Sequence, residues 1–296
     1  MDEGEEPGIV AARSFLFVPG DRPDMLAKAA HRAADALIID LEDAVAPSAK
    51  LQARETVATW LTRLTIPAPE IWIRLNHPSD SFEAEMRAVA NPRLTGLMIP
   101  KVSMPAELER AANLLDDVEI ANRMSGGSVR LLPIIETAAG MLRVAELGAC
   151  RRVSQLMIGE LDLSAELGIE PTNEMALLPL RMQVVVASAA LGLEPPLGPV
   201  SPNFRDLDAL RSETQSLASL GFGSRPAIHP AQVPVYNEVF TPSADAVDRA
   251  RTLVDLYDTA LAEGRGAVTD SDGHMVDEAV VRVARRLLAR AQADTT

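Results

Sequence analysis

The sequence predicts an α/β chain folded as a (β/α)8 TIM barrel with a C-terminal helical lid extension. Three observations predict it. Eight short apolar runs punctuate the chain. Most are followed by a turn or charged cluster and then by a segment of helical periodicity. Several end in acidic residues.

The runs cover residues 15–18, 36–41, 71–75, 96–99, 131–135, 155–158, 195–200 and 226–228. Continuous apolar character marks parallel strands buried on both faces. The seventh run is the weakest, because Pro195, Pro196 and Pro199 remove ladder donors. Helices are expected over 23–34, with Pro23 in the first turn, and over 48–64, 105–115 and 138–147. Another is expected over 173–191, stopped by Gly192. A doubly wound open sheet competes with the barrel, but eight repeats favour closure. The barrel domain is expected to span 1–240. The extension, 241–296, reads as a helix over 245–261, a Gly/Asp/Ser/Thr loop over 264–272 and a helix over 276–291 that carries Arg285, Arg286 and Arg290. It exceeds what a barrel needs, and such an element can cover an active site, its own or a neighbour's.

Composition narrows the function. Of 296 residues, 47% are hydrophobic and only 3% aromatic, so the core must be aliphatic and methionine-rich. A net charge of −14 argues against nucleic acid as a partner, while leaving room for a local cationic site that binds a small anion. The single cysteine, Cys150, excludes an internal disulfide and fits a reducing, cytoplasmic compartment. The acidic stretch 1–7 lacks the order of a signal peptide, and no apolar run approaches the ~18 residues of a membrane span.

In a barrel, the active site lies where strands end. Those ends offer Asp21 and Arg22; Asp40, Glu42 and Asp43; Arg74 and Asn76; Lys101; Glu136; Glu160 and Asp162; and His229. Oxygen donors without a Cys or His cluster suit Mg2+, with Mn2+ as the alternative, better than zinc. Glu136 and Asp162 end adjacent strands and are the preferred ligands. Arg74 is placed to grip a carboxylate with two hydrogen bonds. Each of these residues also has a plainer reading. Arg and acid at strand ends can be ion pairs that close a barrel. Asp40 reads as a structural acceptor. His229 can cap a loop as readily as do acid–base work. Lys101 could form a Schiff base, though nothing nearby argues for a lowered pKa, and Cys150 reads as inert.

The motifs Arg13-Ser-Phe-Leu-Phe-Val-Pro-Gly-Asp-Arg-Pro, Ile39-Asp-Leu-Glu-Asp-Ala-Val-Ala-Pro, Ile73-Arg-Leu-Asn, Met98-Ile-Pro-Lys-Val, Pro133-Ile-Ile-Glu-Thr, Gly159-Glu-Leu-Asp-Leu and Ile228-His-Pro-Ala-Gln occur in order along the chain. This pattern resembles the citrate lyase β-subunit-like, CoA-ester lyase branch of the HpcH/HpaI aldolases, which includes malyl-CoA and citramalyl-CoA lyases. The resemblance implies a Mg2+-dependent lyase that cleaves or forms a carbon–carbon bond beside a CoA thioester and releases or consumes a 2-oxo acid. It implies that Glu136 and Asp162 hold the metal, with Glu136 also at the substrate, and that Arg74 binds the oxo-acid carboxylate. Phe17, Arg22 and Lys28 would contact the CoA ester. Asp40, Glu42, Asp43 and Lys101 would form a wall around the metal, ordering its water or pairing with Arg74. The segment 272–277 resembles the tail that reaches a neighbouring subunit's site, which makes Asp277 the implied catalytic base in a homotrimer or dimer of trimers. Asp277 also reads as the cap of the helix that follows it. The tail favours free CoA esters over a carrier-dependent citrate lyase β-type subunit. An aldolase acting on free 2-oxo acids without CoA is the other alternative. Two departures, Pro196-Leu-Gly-Pro-Val for Ile-Asp-Gly-Val and Arg225 for Lys, leave the acyl group open.

Overall fold

A computed structural model describes residues 12–64, 69–77 and 81–293. The acidic stretch 1–7 falls outside them. The chain divides into two compact units, Ala12–Glu238 and a smaller one that begins at Val239.

The first unit runs β1 (Ser14–Pro19), α1 (Pro23–Ala29), β2 (Ala36–Asp40), α2 (Lys50–Arg63), β3 (Glu70–Arg74), α3 (Phe82–Val89), β4 (Gly96–Ile99), α4 (Pro105–Ala121), β5 (Arg130–Ile135), α5 (Ala138–Leu142), α6 (Val144–Gly148), β6 (Met157–Ile158), α7 (Glu160–Leu167), α8 (Glu174–Leu191), α9 (Leu207–Leu220), β7 (Arg225–Ala227) and α10 (Val233–Phe240), where it ends. The strands form one parallel sheet of seven, ordered β6-β5-β4-β3-β2-β1-β7. The expected seventh of eight strands, 195–200, is not a strand. It is reduced to Leu197, which makes parallel bridges to Met157 on one side and Ser224 on the other. The Leu197 amide donates to the Leu156 carbonyl at 2.8 Å and the Gly198 amide to the Ser224 carbonyl at 2.9 Å. The flanking prolines have no further donors to extend the ladder.

One face of this sheet gathers Phe15, Ala36, Ile38, Trp72, Met98, Leu132, Ile134, Met157 and Leu197 into a single buried cluster. A flat sheet could not bring β1 and β6 into one cluster, so the sheet curls. Side chains on one strand face alternate with period two. The next same-face positions toward the C-terminal strand ends are therefore Phe17, Asp40, Arg74, Glu136 and Gly159. The alternation that builds the core thus delivers one layer of polar residues to the mouth. Gly96 is glycine for lack of room, since a Cβ there would lie 2.3 Å from the Trp72 ring.

Four helices differ from expectation. The one expected over 105–115 runs on to Ala121. The 23–34 helix ends at Ala29. The 138–147 helix breaks at Arg143 into α5 and α6. α8 is long and apolar enough to cross a bilayer by length and composition, with a mean hydropathy of 1.4, although no such segment was expected. It carries Arg181 in its middle, buried against Glu160, a charge that a bilayer core penalises.

In the second unit, α11 (Ala244–Ala262) leads into an antiparallel hairpin of β8 (Ala267–Thr269) and β9 (Met275–Asp277), then α12 (Glu278–Ala293). Tyr257, Val276 and Val281 form its core. The predicted loop 264–272 therefore contains a strand, and 276–277 belong to the hairpin rather than to the helix. Three-residue strands, half exposed, leave too little periodicity to read.

Candidate active site

At the end of β2, Asp40 accepts two hydrogen bonds from Arg74, Nε to Oδ1 at 2.8 Å and Nη2 to Oδ2 at 2.7 Å. The same oxygens accept the Glu42 and Ala44 amides, each at 2.9 Å. Four donors saturate this carboxylate, so Asp40 is a structural acceptor, in line with its plainer reading. The pairing follows from register, because Asp40 and Arg74 are partners at the ends of adjacent strands.

Glu42 is buried, with Arg74 Nη1 at 3.0 Å from Oε2 and Lys101 Nζ at 2.5 Å from Oε1. Burial pushes its carboxyl pKa up and the two cations oppose that shift. Asp43 is more than half exposed and stands 3.9 Å from Arg74 and 3.8 Å from Lys101. Burial works against the charge of Arg74, but Asp40, Glu42 and Asp43 outweigh it and raise its pKa. Burial also opposes the charge of Lys101, and Glu42 again raises its pKa. A Schiff-base lysine needs the opposite shift. Phe17 lays its ring 5.1 Å from the Arg74 guanidinium carbon.

The loop that carries Glu42 is clamped from behind. Lys50 Nζ donates to the Leu41 carbonyl at 3.1 Å, to the Glu42 carbonyl at 2.8 Å, and to Asn76 Oδ1. Asn76 Nδ2 donates to the Leu41 carbonyl at 2.7 Å and to buried Glu85 at 2.8 Å. Lys50 and Glu85 were missed by sequence reasoning. They sit on helices, in no acidic run, and only the tertiary fold shows that they face strand ends.

Glu136, at the end of β5, is 4% exposed. Its Oε1 accepts the Lys101 amide at 2.8 Å. Burial, then the nearby charges of Glu42 and Asp162, push its carboxyl pKa up to about 7. Asp162 lies in the first turn of α7 and is exposed. Among the described residues neither Glu136 nor Asp162 has an ion pair. The neighbouring acid Glu160 is different, since Arg181 grips it through Nε at 2.5 Å and Nη2 at 2.8 Å. A buried carboxylate whose proton affinity is raised in part by a second acid nearby, with no ion pair on either among the described residues, fits a hard divalent ion.

Arg22 is exposed and pairs with Asp24 at 3.1 Å, and Lys28 is exposed on α1. A groove of about 420 Å³ lies between α1 and α2, lined by Leu26, Trp60 and Arg63 among others, and none of the carboxylates above lines it. His229 caps, its Nδ1 accepting the Ala231 amide at 3.1 Å while its ring stacks on Phe204. Cys150 is buried and its thiol pKa is pushed up to about 11 by burial, which keeps it protonated. In the second unit, Asp277 Oδ1 caps α12, accepting the Ala279 and Val280 amides at 3.0 and 3.1 Å. Asp270, Asp272 and His274 cluster in the hairpin turn, where Asp270 accepts the Asp272 and His274 amides and shapes the turn.

Comparison with known proteins agrees with this chemistry. Residues 13–230 match the HpcH/HpaI aldolase/citrate lyase family. A (3S)-malyl-CoA thioesterase of Cereibacter sphaeroides is 34% identical over 283 residues, covering 95% of each chain. An L-malyl-CoA/beta-methylmalyl-CoA lyase of the same species is 33% identical, covering 95% of this chain and 94% of the relative. The crystal structure of CitE from Mycobacterium tuberculosis, in complex with magnesium, acetoacetate and coenzyme A, superposes with a TM-score of 0.76 at 29% identity, covering 96% of this chain and all of that one.

Proposed function

The chain belongs to the HpcH/HpaI aldolase/citrate lyase family, a family of carbon–carbon lyases, and from that premise we propose that it cleaves or forms 3-hydroxyacyl-CoA thioesters such as malyl-CoA or citramalyl-CoA. The products of cleavage are an acyl-CoA and a 2-oxo acid. The observation that carries the reading is Glu136 and Asp162, with no ion pair among the described residues, beside acids that Arg74 and Lys101 hold. The fold reading that goes with it is a (β/α)8 barrel whose seventh strand is reduced to Leu197.

Glu136 and Asp162 would hold magnesium, which when bound polarises the hydroxyl or keto oxygen of the substrate. The CitE complex contains magnesium, which favours magnesium over manganese for this site. Arg74 orients the substrate carboxylate. Asp40 takes two of its five N–H groups and fixes the guanidinium plane, which leaves further donors for an incoming carboxylate. Glu42, held between two cations, keeps that cluster near neutral. Asp277, supplied by a neighbouring copy, is the proposed base. In cleavage it takes the substrate hydroxyl proton as the carbon–carbon bond breaks toward the carbon next to the thioester, and return of that proton to this carbon gives the acyl-CoA and frees the base. In condensation it removes a proton from that carbon. Its capping role occupies Oδ1 and leaves Oδ2 for this work. Phe17, Arg22 and Lys28 are proposed CoA-ester contacts. The copy-to-copy arrangement is proposed as a homotrimer or dimer of trimers, and exposed Leu142, Met175, Leu178 and Val186 are apolar surface that such an assembly would cover. A cytoplasmic location remains part of the proposal.

Thioester hydrolysis is the second reading, favoured by the name of the 34% identical relative. Incubation with malyl-CoA and magnesium separates the two. Glyoxylate with acetyl-CoA supports the lyase. Malate with free CoA and no glyoxylate supports the thioesterase. No chelator-sensitive turnover of any 3-hydroxyacyl-CoA ester would sink both.

A further inference from the structure

We infer that Gly159 is a positioning residue whose missing side chain makes the room in which Glu136 stands beside Asp162, an inference that rests on the magnesium site proposed above. Gly159 joins β6 to α7 with φ −102°. That φ lies outside the left-handed region, so freedom to adopt a positive φ does not explain the glycine. Space does. A Cβ at this position would lie 2.5 Å from both Cβ and Oε2 of Glu136 and 3.2 Å from Ile134 Cγ2. Carbon atoms in contact stand ~3.5–4 Å apart, so about an ångström of movement is needed.

Neither partner can give way without cost to the site. Glu136 is tethered on its other oxygen by the Lys101 amide. That amide is aimed by a left-handed Lys101, with φ 55°, a conformation a non-glycine residue holds only when its surroundings impose it. Gly159 in turn leads into α7, whose first turn carries Asp162 three residues on. If Glu136 moves, one oxygen donor leaves. If Gly159 moves, α7 and the other donor move with it. A single methyl group therefore separates the two carboxylates by either route. Backbone groups of two flanking segments, the Lys101 amide and the bare Gly159, thus set the Glu136 carboxylate from opposite sides.

The test is calorimetric titration of Mg2+ into the metal-free full-length chain and its Gly159→Ala variant, with circular dichroism to confirm folding. The expected result is a wild-type site whose affinity falls at least tenfold in a folded Gly159→Ala. Unchanged affinity in that variant overturns the inference while leaving the magnesium site standing. A wild-type chain that binds no Mg2+ overturns the magnesium site, and the inference with it. If Gly159→Ala does not fold, the swap Gly159→Ala/Glu136→Gly decides. Recovery of folding locates the crowding at the Glu136 side chain as inferred, and continued failure to fold places it elsewhere and overturns the inference.

Discussion

The acids at the end of β2 and those at the ends of β5 and β6 share one mouth and are treated in opposite ways. Asp40 and Glu42 are buried and held by Arg74 and Lys101, with Lys50 clamping the loop behind them. Glu136 is equally buried but receives only a backbone amide, and Asp162 has no ion pair among the described residues. Burying a carboxylate is costly unless a partner compensates. Where the chain supplies the cation, the acid does structural work. Where it does not, as at Glu136, the buried acid's proton affinity climbs to about 7 and a proton or a metal must compensate. The contrast shows that the density of acids at a strand end says little about metal binding until their partners are counted. The triplet Asp40, Glu42 and Asp43 is the denser cluster, and it is the one whose buried members the chain's own cations already hold.

The largest expected effect breaks the unpaired side. Glu136→Ala or Asp162→Ala should lower malyl-CoA turnover by ~1,000-fold or more, the scale of losing an interaction on which transition-state charge depends, measured by glyoxylate release at saturating magnesium. Breaking the paired side should hit stability. Arg74→Met leaves buried Asp40 without its cation and Glu42 with Lys101 alone, and should cost about 3–5 kcal/mol in denaturant unfolding; a loss under 1 kcal/mol would mean that the pairs contribute little.

The pH dependence sharpens the contrast. Glu136 is held near 7, above its ordinary 4.5. Between those values the folded chain keeps a proton that the unfolded chain has lost. The metal-free chain should therefore lose stability as pH rises through that window, by on the order of 3 kcal/mol. Magnesium should reverse the loss, so its stabilising effect in thermal melts should be larger at pH 8 than at pH 5. Asp277→Ala should lower the rate by ~100-fold, the scale of losing a general base, while metal affinity stays unchanged. Full activity in that variant would remove Asp277 from the mechanism. The smallest effect is expected at Arg22→Ala, an exposed residue, where KM for the CoA ester should rise a few-fold with kcat unchanged.

Much of this architecture is legible in the amino-acid sequence. The strands are visible because each is a continuous apolar run, and their ends name the polar layer. The run 195–200 is legible as a problem, since its prolines forecast that one bridging residue, Leu197, replaces a strand. The Asp40–Arg74 pair is within reach, because both residues close their strands and adjacent parallel strands align. The Glu160 pair is not, as its partner Arg181 lies on the next helix. Lys50, Glu85 and Gly159 are invisible for a related reason: their meaning comes from what they face, and a sequence shows only neighbours along the chain. The hairpin at 267–277 escapes because its strands are too short to show alternation.

The most direct test is calorimetric titration of Mg2+ into wild type, Glu136→Gln and Glu42→Gln. The account predicts one site in wild type, its loss in Glu136→Gln, and its retention within about tenfold in Glu42→Gln. Binding that survives Glu136→Gln but disappears in Glu42→Gln would contradict it, and would place the metal in the paired cluster instead.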